Sequence, residues 1–153
     1  MTPIDEKQGW TKDGSSGINQ WNNLRTMKMG NGQTYDKFLV IHPKNNDNAY
    51  QTYDLNGEYT LFTAIAGPSG SSVTSCLERD DYGTFSIYIW IDDILKYSRE
   101  RYFGKNDYDQ INIDVTNAQQ IKIWTDNYGD NANCDHATIA DPLLHCPGIY
   151  SNY

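Results

Sequence analysis

Thr84-Phe-Ser-Ile-Tyr-Ile-Trp-Ile-Asp92 alternates without a break. Phe85, Ile87, Ile89 and Ile91 fall on one side of an extended chain, while Tyr88 and Trp90 fall on the other. Successive side chains of a strand point to opposite faces, so this period of two marks a strand with one buried face. Its β-branched and aromatic residues suit a pleated surface.

The same period recurs on both sides of this stretch. Asp92-Asp93 reads as a turn and Ile94-Leu-Lys-Tyr-Ser98 as a short strand. Asp109-Gln-Ile-Asn-Ile-Asp-Val115 alternates, Thr116-Asn-Ala-Gln119 turns, and Gln120-Ile-Lys-Ile-Trp-Thr-Asp126 alternates again. Upstream, Lys37-Phe-Leu-Val-Ile-His42 is a continuous apolar strand that ends in a histidine. Ala49 to Leu55 alternates until Asn56-Gly57, a strong turn signal, and Glu58 to Ala66 begins the next strand. Gly9 to Lys28 has no clear period and reads as a long opening loop, followed by a turn over Gly30–Tyr35. Gly67 to Gly83 is the longest polar interruption, of a length usually kept for function or mobility. No helix of ordinary length is expected. About eight short antiparallel strands joined by turns predict an all-β domain, a β-sandwich or jelly roll, spanning residues 1–153 as one unit.

Composition narrows the function. The 153 residues carry a net charge of -8 and 13% aromatics, including 12 Tyr and 4 Trp. Nucleic acid and anionic membrane surfaces call for positive charge, so neither is an expected partner. No apolar stretch is long enough to span a bilayer, and Met-Thr-Pro-Ile-Asp-Glu lacks the parts of a signal peptide. A module taken from a larger secreted protein has the same look, and an extracellular setting is expected. Cys76, Cys134 and Cys146 leave one thiol over if a bridge forms. Cys134 with Cys146 stands slightly ahead of Cys76 with Cys134.

Several segments share an order with one family. Gly32-Gln-Thr-Tyr-Asp-Lys-Phe-Leu-Val-Ile-His42 resembles the glycine, tyrosine, aspartate, lysine, glycine, valine, histidine strand of the NPCBM family of carbohydrate-binding modules. Tyr53-Asp-Leu-Asn-Gly-Glu-Tyr-Thr-Leu-Phe-Thr-Ala64 resembles its next hairpin. Ile113 to Asp126 and Asp135-His-Ala-Thr-Ile-Ala-Asp141 resemble its closing strands. The resemblance runs from about Trp10 to Leu144. It implies a galactose-binding-domain-like sandwich of the discoidin type, generally appended to a secreted glycoside hydrolase. It also implies a glycan partner, often galactose-containing, and often a structural calcium.

Candidate residues follow from sugar chemistry. Sugars present apolar C–H faces, which aromatic rings cover at little entropic cost. Trp10, Trp21 and Tyr35 are the candidates for that role, although each could instead pack within the fold. His42, Asp80, Asp81, Asn131 and Asp135 are candidates for hydroxyl binding, with a purely structural hydrogen bond the other reading of His42. His136, in the closing strand, reads as mainly structural. Calcium takes six to eight oxygens, and a discoidin-type site would join Asn22 and Asn23 of the opening loop to Asp141. Glu78, Asp80 and Asp81 lie too close in sequence to be expected on opposite sides of a glycosidic bond. Cys134 and His136 have no evident third orienting group, and the cysteines lack zinc-site spacing. The expected function is a non-catalytic glycan-binding module. The alternative is a calcium-stabilised sandwich used for protein–protein contact.

Overall fold

The computed structural model describes residues 4–7, 25–43, 45, 47–69, 76, 81–129 and 133–148. Among these lie eleven strands in chain order: β1 (Asp5–Lys7), β2 (Met27–Lys28), β3 (Thr34–Tyr35), β4 (Phe38–Ile41), β5 (Asn48–Asp54), β6 (Leu61–Pro68), β7 (Thr84–Ile91), β8 (Ile94–Phe103), β9 (Asp109–Asp114), β10 (Gln120–Asp126) and β11 (Ala137–His145). Eight of them have four residues or more, and these are the strands that the sequence pattern announces.

Two antiparallel sheets face one another, as the sequence predicts. One has the order β1-β5-β10-β7-β8 and the other β4-β11-β6-β9. The alternating residues Phe85, Ile87, Ile89 and Ile91 of β7 are buried between the sheets with Leu39, Ile41, Phe62, Ile111, Ile121, Ile123 and Ile139. The turns fall where the sequence signals them: Asp92-Asp93 closes the β7–β8 hairpin, whereas Asn56-Gly57 passes the chain from β5 in one sheet to β6 in the other, which corrects the hairpin that the resemblance implies there. Both residues are left-handed in Asn56-Gly57 (φ 54° and 70°) and in Asp92-Asp93 (φ 46° and 64°).

β4 explains its own unbroken apolar run. Leu39 and Ile41 face the core, while Phe38 and Val40 face away from it and meet Met27, Met29 and Ala140. That second cluster lies under a ribbon made by β2 and β3, which is anchored where Met29 bridges to Ser69. The opening segment expected to be loop as far as Lys28 therefore ends in a strand, because the outer face of the smaller sheet needs an apolar cover.

Two strands run past their expected ends. β8 continues from Ser98 to Phe103, and Arg99 pairs there with Asp107 and, at 2.9 Å, with Asp109. The hydroxyl of Tyr97 donates to Asp109 Oδ2 at 2.6 Å, so the edges of the two sheets are laced together. β11 continues through Asp141-Pro142 to His145. Its register shifts between Ala140 and Leu143, with Asp141 left-handed at φ 48°. Such a bulge accommodates proline within a paired strand.

Candidate functional site

β4 ends and β11 begins side by side, with Ile41 opposite Ala137. The next residues outward are His42 and His136, so strand register alone brings two distant histidines together. Their rings meet edge to face with centroids 4.7 Å apart. Nδ1 of His42 lies 2.7 Å from the Pro43 carbonyl, and Nδ1 of His136 lies 3.1 Å from the Cys134 carbonyl. A carbonyl only accepts, so each Nδ1 carries the proton and each Nε2 is the acceptor nitrogen. Burial pushes both pKa values down, against the pull of those carbonyl bonds. His136 also feels His42 and falls to about 3. Both imidazoles are therefore neutral near pH 7.

Asp135 completes this end of the sandwich. It is fully buried, and its Oδ1 accepts the Thr84 backbone N–H at 2.8 Å, tying the closing segment to the start of β7. Gly83 makes that approach feasible. Its φ is +73°, and a Cβ there would come within 2.5 Å of both Asp135 Oδ1 and the Cys134 carbonyl. Asp81 is joined to the same corner, its Oδ1 accepting from Gly83 N at 3.1 Å and its own N–H donating to the Cys76 carbonyl at 2.9 Å. At the end of β10, Asp126 accepts from Ser86 Oγ at 2.5 Å and from Tyr128 N at 3.0 Å, while Asn127 is buried beside it.

A disulfide joins Cys76 to Cys134 across 5.8 Å between Cα atoms, and Cys146 is free and exposed. This corrects the expected pairing of Cys134 with Cys146. The nine residues of β11 separate those two cysteines, roughly 30 Å of extended chain, far beyond the reach of a bridge. The bond instead pins the long serine-rich interruption to the histidine corner.

Of the residues proposed from sequence, His42, Asp81 and Asp135 meet at this end. Tyr35 lies elsewhere, against the outer cluster of the smaller sheet, with its hydroxyl bonded to Gln33 Oε1 at 2.6 Å. Asp141 lies at the bulge of β11, and its charge raises the Tyr35 pKa after burial has done so. Trp10, Trp21, Asn22, Asn23, Asp80 and Asn131 lie outside the described residues. His136 was legible only as a structural residue, because its meeting with His42 depends on which strand β11 pairs with. No group of three or more His, Cys, Asp or Glu side chains able to hold a metal occurs among the described residues.

The sandwich and its histidine corner define a class before they define a ligand. The profile of the NPCBM/NEW2 domain matches residues 1–145, and the chain belongs to that family of carbohydrate-binding modules, which are non-catalytic. Solved structures share the fold at low identity. The CBM51 of Clostridium perfringens GH95, in complex with methyl-galactose, is 17% identical with a TM-score of 0.71, and the match covers 94% of each chain. The tandem CBM51 modules of Sp3GH98, the family 98 glycoside hydrolase of Streptococcus pneumoniae SP3-BS71, give 18% and 0.72 over 94% of this chain and 45% of theirs. A Clostridium perfringens ZmpB structure, with an M60 catalytic domain and the CBM51-1 and CBM51-2 domains, gives 22% and 0.75. This chain is covered over 97% there but spans only 15% of the ZmpB chain. No curated protein matches by sequence.

Proposed function

We propose that the chain binds a galactose-containing glycan at the histidine corner and holds an attached glycoside hydrolase, or another partner domain, near its substrate. The carrying observation is the meeting of two imidazoles, with ring centroids 4.7 Å apart, beside Asp81 and Asp135 at one end of the sandwich. A sugar offers hydroxyl donors in pairs, and neutral acceptors take them without the desolvation cost of a charge. Asp81 supplies a carboxylate acceptor from the same corner. Trp10 and Trp21 supply the stacking rings in this reading. The methyl-galactose complex of the Clostridium perfringens GH95 module supports the sugar class. Tethering raises the local concentration of the attached enzyme at the glycan even when each contact is weak. An extracellular setting accords with the Cys76–Cys134 bond, since such bonds persist in oxidising compartments.

Calcium belongs to the same proposal. Asp141 offers a carboxylate at a bulge where the backbone turns sharply, and Asn22 and Asn23 would add oxygens from the opening loop. The metal would brace the loops rather than touch the sugar.

Calorimetric titration with galactose, lactose and N-acetylglucosamine tests the sugar site, with His42→Ala as the variant. Binding in the millimolar range or tighter, weakened at least tenfold in His42→Ala measured below the variant's melting temperature, is the expected result. Equal binding by the variant, or silence across a broad glycan array, would sink the proposal. A melting temperature raised by calcium, lowered again by EDTA and unresponsive in Asp141→Asn, is expected for the metal.

A further inference from the structure

The outer face of the five-stranded sheet carries aromatic residues that the fold does not bury. In one cross-strand row, Tyr50 of β5 lies opposite Trp124 of β10, which lies opposite Tyr88 of β7. In the adjoining row, Thr52 lies opposite Lys122, which lies opposite Trp90. Tyr50, Tyr88, Trp90 and Trp124 are all half-buried, so each keeps part of its ring open to solvent. Trp90 and Trp124 are diagonal neighbours, with Cβ atoms about 7 Å apart. A depression of about 500 Å³ lies at Tyr88, Trp90, Trp124, Lys122 and Asp93. A second one of about 290 Å³ shares Trp90, Lys122 and Asp93 and extends toward Asp5 and Thr52 at β1 and β5. The two form one groove across the strands.

We propose that this groove is a second glycan-binding surface, one that takes a linear, neutral oligosaccharide stacked on Trp90 and Trp124. Its chemistry selects that occupant over others. The outward positions of β5, β10 and β7 hold Asn, Tyr, Thr, Asp, Gln, Lys, Trp and Ser, with no aliphatic side chain. Two exposed aliphatic side chains border the groove, Ile4 in its lining and Leu95 opposite Trp90, but between the rings of β5, β10 and β7 an apolar protein partner would find only polar groups. A phosphate-bearing partner would meet one lysine set among Asp5, Asp92 and Asp93, an unfavourable balance. A pyranose chain needs the opposite mixture: flat rings for its C–H faces and polar groups beside them for its hydroxyls. Lys122 and Asp93 are those groups. Asp92 caps the Gln119 and Gln120 N–H groups at 2.9 and 2.8 Å, while Asp93 makes no hydrogen bond among the described residues. The Lys122 ammonium rests 4.0 Å from the centroid of the Tyr50 ring, on the far side of the groove from Trp90. The surface lies on strands rather than loops, so it is rigid before the ligand arrives, which lowers the entropic cost of binding.

This surface is independent of the histidine corner, and its test keeps the two apart. The full chain, labelled with nitrogen-15, is titrated with cellohexaose, xylohexaose, mannohexaose and laminarihexaose, and separately with galactose. At least one hexasaccharide should shift the indole N–H resonances of both Trp90 and Trp124. Trp90→Ala and Trp124→Ala should each weaken that binding tenfold or more, while Trp90→Tyr retains most of it. His42→Ala should leave hexasaccharide binding unchanged, and the two alanine variants should leave any galactose response unchanged. The proposal is overturned if no hexasaccharide moves the two indoles, or if both alanine variants bind as the parent does. It is also overturned if acrylamide fails to reach Trp90 and Trp124 in the free chain, which would mean that another segment covers them. Self-association that Trp90→Ala abolishes would overturn it as well, by assigning the face to a second copy of the chain.

Discussion

Two buried imidazoles in contact can stay only if both are neutral, and that makes the corner acid-sensitive. His136 has a folded pKa of about 3 against 6.5 for a free histidine. Between those values the unfolded chain takes up a proton that the folded chain refuses, so stability is full above pH 6.5 and falls as the pH drops. His42, also lowered, acts in the same direction. His136 alone should cost about 2 kcal/mol between pH 7 and pH 5, a span in which few ordinary carboxylates titrate. Urea midpoints measured at the two values check this, and His136→Asn should flatten the slope. Identical midpoints at both pH values would mean that the imidazoles are not held neutral. At this scale the sequence showed the type of residue but not its neighbour. His42 was visible as a histidine closing an apolar strand, and Asp135 as a candidate for hydroxyl binding. Tyr35 was open between stacking on a sugar and packing within the fold, and it packs against the outer cluster from β3.

The elements most exposed to misreading were those whose burial depends on another element. The alternation in β7, β9 and β10 names one buried face, and the structure agrees strand for strand. The run in β4 names two buried faces without saying what covers the second. Its cover is the β2–β3 ribbon, a strand pair of two residues each with no period of its own. The closing segment was read only as far as Asp141, and a bulge carries β11 past Pro142 to His145. If the ribbon is a true second layer, Phe38, fully buried between it and the sheet, carries a core residue's share of stability. Phe38→Ala should then cost about 3–5 kcal/mol. A matched substitution on the solvent face of the same sandwich, Tyr50→Ala, should cost under about 1 kcal/mol. Chemical denaturation of the two variants provides the measurement, and near-equal losses would reduce the ribbon to a surface strap.

For the whole molecule, the question is what holds a loop-built site to a strand-built frame. The sheets are secured by their core and by the Arg99–Asp109 lacing, all within strands. The corner instead joins the ends of β4 and β11 and the start of β7 to a long polar segment with little apolar surface of its own. The Cys76–Cys134 bond is the covalent part of that junction. Three cysteines stand in similar surroundings in the sequence; the length of β11 rules out Cys134 with Cys146, and the fold brings Cys76 to Cys134. The bond closes 58 residues of chain, for which loop-closure entropy gives about 4 kcal/mol of stabilisation. Cys76→Ser should therefore lower the melting temperature by roughly 10 °C in a domain of this size. Cys146→Ser, which touches no bridge, should leave it unchanged. The two glycan surfaces should respond differently to the same lesion. Galactose binding at the corner should fall with the tether, because Asp81 and the Cys134 carbonyl that orients His136 both depend on it. Hexasaccharide binding on Trp90 and Trp124 should persist below the melting point, because that face rests on β5, β7 and β10 alone. Parallel loss of both activities in folded Cys76→Ser would show that the corner and the sheet are not separable, and the division of labour argued from the strands would fail.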